Sequence, residues 1–362
     1  MTPAGALYAP PMKLAARLLV VVTLLGCSAD DGPAAADAAV ESRLPDAGTA
    51  DLSTDPRPIQ LPEDESPHSD PMEWWYYTGR LVAETGEVFG FELTVFQMLF
   101  SDKPIYAGHF TVTDPQAGEF FANMEVSAED QRGLGEGFRL QTGQMEMSGH
   151  AGHDRIRARM KQAAIDLELV AAKPPVLQYG TGWMTVGSDR PFYYYSYTRM
   201  TARGSVTVGG VPRSVTGEAW MDHQWGTIGK GFGWDWFSLR LDDQSEVMLF
   251  YVRRDGKLGF VGGTLIDAKG EGRELKPGDF EARATGRWTS QQTGITYPCG
   301  WTVSVTPIQL EVTLAPVMKR QEFGLSLMGS PIYWEGLCDV TGTRAGKPAS
   351  GHAYVEVTGN MK

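Results

Sequence analysis

The sequence predicts an all-β protein, and three observations carry that prediction. Apolar residues alternate with period two in short runs: Phe89, Phe91, Leu93 and Val95 in "VFGFELTVF", Ile156, Ala158 and Met160 in "RIRARMK", and Val206 and Val208 before Gly209-Gly210. Alternation of this kind gives a strand one apolar face. Turn signals such as "ETGE" and "RDGK" separate the runs, and 43 glycines and 22 prolines suit many turns. After residue 70 no stretch sustains a helical period for long. Short strands at near-regular spacing indicate an antiparallel sandwich or barrel, and a barrel leaves no free edges.

A repeat sets the number of units. "WWYYTGRLVAETGEVFGF" (74–91) and "WDWFSLRLDDQSEVMLF" (234–250) each read as an aromatic cluster, an Arg-Leu, a polar turn, a Glu-Val and an apolar strand. Their offset of about 160 residues is near one barrel's length, so two tandem barrels are expected, over 67–228 and 229–362.

The N-terminus reads as an export signal. From Met12, the more plausible start, "MKLAARLLVVVTLLGC" runs from Lys13 and Arg17 through a short apolar core to Cys27. Cysteine after Leu-Leu-Gly resembles the bacterial lipobox, which implies lipidation of Cys27 and a mature chain starting there. Ser28 beside it suggests the periplasmic side of an outer membrane. Residues 28–66 hold no aromatic residue and are rich in Ala, Asp and Pro, the composition of a disordered acidic tether. Residues 28–65 carry a net charge of −8 out of −12 for the chain, so the acidity belongs mainly to the tether. A net negative chain is also a poor match for nucleic acid.

Within the globular part, "MEWWYYTGRL" places Glu73 against Trp74, Trp75, Tyr76 and Tyr77. A strand sends successive side chains to opposite faces, so this run is aromatic on both. One face can fill a core; the other must face a cavity or a second unit. The same stretches resemble a known family, the lipocalin-like secreted proteins related to carotenoid 1,2-hydratase and to AttH. The motifs are "PHSDPMEWWYYTGRL", "AGHF" (107–110), "YYYSYTRM" (193–200), "GEAWMDHQWG" (217–226), "GWDWFSLRLDD", "TYPCGWTV" (296–303), "IYWEG" (332–336) and "GHAYVEVTGN" (351–360), spanning about 67–360. The resemblance implies two lipocalin-like β-barrels packed together and a long apolar, isoprenoid or lipid-like ligand in an aromatic-lined barrel. Some relatives hydrate isolated alkenes and others are described as secreted hydrolases.

Hydrating an isolated alkene needs a neutral acid to protonate carbon, and aromatic faces to steady the cation. Four acids lie among tryptophans: Glu73 before Trp74 and Trp75, Asp222 in "WMDHQW", Asp235 between Trp234 and Trp236, and Glu335 after Trp334. Asp222 with His223, and Glu73, are the catalytic candidates. Trp74, Trp75, Tyr76, His109, Tyr194, Trp225, Trp234, Asp235, Trp236, Trp334 and Glu335 are candidate ligand contacts. Alternation along "AWMDHQW" puts His223 and Trp225 on one face and Asp222 on the other, so Asp222 and His223 share a site only at a strand end or bulge. We expect both where the barrels meet, near Trp225 and "GWDW". An architectural role, anchoring backbone amides or closing a barrel, stays open for each acid.

The strand "VMLFYVRR" (247–254), where the resembling hydratases carry an acid, holds none before Asp255, which argues against carotenoid hydration itself. No Gly-x-Ser-x-Gly, His-Glu-x-x-His, Cys-x-x-Cys or phosphate loop is present, so no metal or cofactor is expected. His150, His153 and Asp154 in "SGHAGHD" read as a polar hairpin. Cys299 and Cys338, in motifs of the same expected barrel and in an oxidising compartment, are expected to form a disulfide. Two functions remain: a cofactor-free hydratase or hydrolase-like enzyme, and a lipid carrier tethered to the membrane. An acid oxygen facing the ligand space favours the first, and a wholly apolar cavity the second.

Overall fold

Alternation in the strand Met72–Ala83 divides the molecule into its layers. Trp75, Tyr77 and Leu81 point into a first core, while Tyr76 points toward the second sheet. The structure, a computed structural model, describes residues 56–100, 103–185, 190–229, 232–254, 256–325 and 332–358. The expected export signal, Cys27 and residues 28–55 of the tether lie outside the described residues.

The first sheet has twelve strands, all antiparallel to their neighbours. Met72–Ala83 sits between Val88–Phe100 and Val211–Gly226. The sheet continues to Glu119–Ser127 on one side and, through Pro191–Val208, to Phe138–Thr142 on the other, and so forms a nearly closed barrel. The second sheet has ten strands and repeats the arrangement: Phe232–Leu241 lies between Glu246–Arg254 and Lys347–Thr358. In each sheet the opening strand therefore pairs with its successor and with the last strand, the structural counterpart of the sequence repeat. The described residues contain no α-helix, only short 3₁₀ turns.

Aromatic side chains fill both interiors. Trp75, Tyr77, Phe91, Tyr106, Tyr195 and Trp225 are buried together in the first, and Phe237, Tyr297, Trp301 and Trp334 in the second. A third buried layer lies between the sheets, built from Tyr76, Tyr194, Trp220, Trp236, Met248, Leu337 and Tyr354. The aromatic density of "EWWYY" thus serves two layers at once. Gly90 lets the sheets approach: a Cβ there would lie 2.6 Å from the Tyr354 hydroxyl and 3.3 Å from Leu337 Cβ.

Two expectations are corrected. Residues 56–66 are not tether but pack on the first sheet. Ile59 and Leu61 rest against its core, and the buried Glu65 accepts from the Tyr197 hydroxyl (2.8 Å) and the Ala151 amide (2.6 Å). Two apolar side chains and a captured carboxylate offset the ordering entropy that composition alone leaves unopposed. Cys299 and Cys338 are free thiols, both buried in the second core. Cys338 Sγ donates to the Gly336 carbonyl at 3.7 Å. Burial, reinforced by Cys299, pushes the Cys338 thiol well above its ordinary value, which suppresses the thiolate that forms and exchanges disulfides. Non-reducing peptide mapping of the folded protein should recover both cysteines as thiols, and added reductant should leave the melting temperature unchanged. A recovered Cys299–Cys338 peptide pair would contradict this arrangement.

Candidate active site

Four carboxyl groups face one another between the sheets. Glu92 comes from Val88–Phe100, Asp222 from Val211–Gly226, Glu335 from Tyr333–Arg344 and Glu356 from Lys347–Thr358. Glu335 and Glu356 are direct cross-strand partners, so their side chains share the seam-facing side. Glu92, Asp222 and Glu335 are buried and Glu356 is half-buried. Burial, and after it the nearby Glu356 and Glu92, raises the Glu335 carboxyl well above the carboxylate range. Burial likewise raises Glu92 to about 8 and Glu356 to about 7, against a hydrogen bond from Trp234 in the latter case. Buried carboxylates that interact in this way cannot all ionise, so protons are retained at neutral pH.

The four acids are not equivalent. Asp222 accepts three hydrogen bonds: Ser196 Oγ (2.5 Å) and Trp220 Nε1 (2.6 Å) donate to Oδ1, and the Tyr194 hydroxyl (2.7 Å) donates to Oδ2. Tyr194 in turn accepts from Trp236 Nε1 at 3.1 Å, which ties the two sheets together. Burial still carries Asp222 up to about 7, the three donors pulling against it. Glu335 is less encumbered. Its Oε1 takes a very short bond from the Tyr76 hydroxyl, and its Oε2 has no partner among the described residues. Glu92 Oε1 accepts from Thr94 Oγ1 at 2.5 Å, and its Oε2 is also unpartnered.

Aromatic rings wall these groups. Trp236 meets Tyr76 edge-on at 5.4 Å and Trp220 at 5.9 Å. His109 stacks on Phe323 at 4.2 Å, and its Nδ1 lies 2.8 Å from the Tyr333 hydroxyl. Burial lowers the His109 imidazole to about 3, so it is neutral. Trp74 sits at the seam's edge with Phe96 and Phe192, its Nε1 donating to Gln224 Oε1 at 3.1 Å.

Of the residues singled out in the sequence, the seam gathers Trp74, Tyr76, His109, Tyr194, Asp222, Trp234, Trp236 and Glu335. The expected Asp222–His223 pair is overturned, because no bulge interrupts the register at these positions. His223 points into the first barrel with Trp225 and Trp75, and Glu73 joins them there. Glu73 Oε1 lies 2.7 Å from both His68 Nδ1 and His223 Nε2. Its Oε2 accepts from the His68 amide (2.8 Å) and Gln97 Nε2 (3.0 Å). His68 stacks on Trp225 at 4.2 Å, and His223 Nδ1 lies 3.2 Å from the Tyr195 hydroxyl. Among the described residues, His68, Glu73 and His223 are also the set with metal-donor atoms within 4.8 Å of one another. Every one of those donors already has a hydrogen-bonding protein partner.

Two further contacts are displaced from the seam. Asp235 points to the opposite side of its strand and pairs with Arg253, and Trp334 is buried in the second core with its Nε1 donating to the Lys319 carbonyl at 2.7 Å. His153 and Asp154 line a separate surface cleft of about 570 Å³ with Phe138 and Leu169. That cleft lacks the converging aromatic faces of the seam.

Comparison with known proteins bears on this architecture. The AttH-like family model matches residues 53–360. The chain belongs to the AttH-like family. A solved structure described as an AttH protein from Nitrosomonas europaea is 27% identical, with a TM-score of 0.74, covering 83% of this chain and 97% of that one. Kievitone hydratase from Nectria haematococca is 16% identical with a TM-score of 0.68, covering 84% and 93%. CghA solved with Sch210972 is 12% identical with a TM-score of 0.52, covering 81% and 90%. No curated protein sequence matches the chain. The two lower-identity likenesses show the fold, which AttH-like chains therefore share with a hydratase.

The inner network has a measurable signature. Burial alone would lower His68, but bonds to Asp64 and Glu73 outweigh it and raise the imidazole to about 9. Burial likewise favours neutral Glu73, yet His223 and His68 hold its carboxyl below its usual range. The raised His68 contributes stability that is fully present below its ordinary 6.5 and lost as pH climbs through about 9. Glu73→Gln removes one of the two carboxylates that face the His68 imidazolium and leaves Asp64 as the other, and we expect a loss of about 1–3 kcal/mol in urea denaturation near neutrality. The pH dependence above 6.5 should flatten in the same variant.

Proposed function

We propose that the seam catalyses acid-initiated addition of water to an isolated alkene of an apolar, prenyl-type substrate, with Glu335 as the proton donor. The observation that carries this reading is the Glu335 carboxyl: raised by its burial, and after that by Glu356 and Glu92, with Oε2 free of any partner among the described residues. An acid locked by three donors, as Asp222 is, makes a poor proton source; an acid with one free oxygen makes a good one.

The chemistry balances on residues of the seam. The alkene π pair takes the Oε2 proton at its less substituted carbon and forms a C–H bond, leaving a tertiary cation and a Glu335 carboxylate. Trp236, Tyr76 and Trp220 cluster beside the acid, and a ring that turns its face to the cation steadies it without attacking it. Water adds to the cation, and its surplus proton returns to the carboxyl cluster. The product is a tertiary alcohol. Tyr76, bonded to Glu335 Oε1, orients the acid, and the Asp222–Tyr194–Trp236 chain fixes the ring across both sheets. The carrier alternative calls for an apolar lining, and four carboxyls, two of them with an unpartnered oxygen, do not suit it.

The kievitone hydratase likeness makes a prenyl alkene a reasonable first substrate class. The test is incubation of the protein with farnesol, farnesoate and kievitone in ¹⁸O-labelled water, read by mass spectrometry. Gain of one labelled water is expected with at least one of them. Glu335→Gln should abolish that gain, a loss of at least about 10²-fold, while Asp222→Asn should cost stability before it costs chemistry. Full turnover by Glu335→Gln would refute the assignment.

A further inference from the structure

The seam has a second end, and its chemistry is opposite to that of the acids. Register along the strands Phe232–Leu241 and Lys347–Thr358 places Trp236 beside Glu356, Ser238 beside Tyr354 and Arg240 beside His352. Four residues separate Glu356 from His352, so Arg240 lies about 13 Å along the seam from the carboxyl cluster.

Arg240 is fully buried, and its Nε, Nη1 and Nη2 all lack a hydrogen-bond partner among the described residues. Its surroundings do not supply the missing anion. Glu246 is taken by Lys173 Nζ (2.7 Å) and Arg199 Nε (2.6 Å), and Glu218 by Arg199 Nη1 (2.6 Å). Lys173, Arg199 and Arg240 thus face two carboxylates, and Arg80 adds further positive charge nearby. Burial holds His352 well below its ordinary value, so it is neutral. Glu218 and Glu246 act on Arg240 only through space, and of Lys173, Arg199 and Arg240 the one that no carboxylate bonds is the most deeply buried. Two residues along the strand, on the same face, the hydroxyls of Ser238, Tyr354 and Thr264 also lack partners among the described residues, and register places them on one row of the sheet: Tyr354, Ser238, Met248, Thr264. A buried guanidinium with no hydrogen-bond partner among the described residues, near several unpartnered hydroxyls, fits an oxyanion, for which arginine's planar fork is suited.

We propose that Arg240 binds the acidic head group of the substrate, a carboxylate on an otherwise apolar prenyl chain, and that the chain runs along the seam to bring its alkene to Glu335. The head group supplies the missing negative charge, and the distance from Arg240 to the acids sets how far the reacting alkene lies from it. This inference rests on the seam being the substrate site, and it names what the substrate must carry.

The test is binding, measured without turnover. Isothermal titration of the full chain with farnesoate and with farnesol should show farnesoate bound about tenfold more tightly or better. Arg240→Met should bring the two within about twofold, and Arg240→Lys should keep part of the preference, since a point charge replaces the fork. Ligand-free Arg240→Met should melt at the wild-type temperature or above, because a methionine of similar volume removes an unmatched buried charge. Equal affinities in the wild type, no farnesoate binding, or an undiminished preference in Arg240→Met would overturn the proposal. A clear fall in melting temperature would also overturn it, by showing that Arg240 is a structural cation. Glu335→Gln should leave the preference intact, so loss of hydration in that variant reports on the acid alone.

Discussion

The packing of one strongly polar sheet face against another governs this molecule. Each sheet fills its own interior with aromatic and aliphatic side chains, a self-sufficient core. The outer faces then meet and bury carboxyls, tyrosines and an arginine away from water. In such a place charge is expensive, so the groups settle in two ways. At one end carboxyls keep their protons, and at the other a guanidinium keeps its charge and lacks an anion. Both conditions cost stability in the free protein, and both are usable in chemistry.

The Glu73–His68–His223 network inside the first barrel follows the other solution, in which opposite charges are paired at hydrogen-bonding distance. It binds the segment 56–71, the opening strand and the strand Val211–Gly226 into one unit. The adjacent residues Asp222 and His223 therefore belong to separate networks, one fixing the barrel and one fixing the seam. The peptide backbone links them only mechanically: a shift of Val211–Gly226 along its axis would disturb both.

Much of the fold was legible because period-two alternation and the recurrence of "WWYYTGRL" in "WDWFSLRL" are strong local signals. The two-faced reading of "EWWYY" correctly required a second layer. The candidate site was legible only where an acid lies near tryptophan in sequence, a signal that picked out Asp222 and Glu335 but also Glu73 and Asp235, which lie elsewhere. Glu92 and Glu356 escaped. In "VFGFELTVF" and "AYVEVTGN" a lone acid between apolar residues reads as the solvent-facing side of a strand, and nothing local says that another sheet covers it. Arg240 escaped for the same reason. Strand neighbours of Tyr76 and Trp236 were the available signal: residues on the same face of adjacent strands share the second layer. The pairing of Asp222 with His223 failed because it set chain adjacency above alternation, and alternation prevailed.

The central claim is that a carboxylic acid of the seam stays protonated at neutral pH. Infrared spectroscopy reads it directly, through the carbonyl stretch of an un-ionised carboxyl, in wild-type protein and in Glu335→Gln at pH 7. The account predicts a protonated-carboxyl band in the wild type that resists deprotonation well above the ordinary carboxylate range and loses intensity in the variant. A wild-type spectrum with every carboxyl ionised at pH 7, or a band untouched by Glu335→Gln, would contradict it.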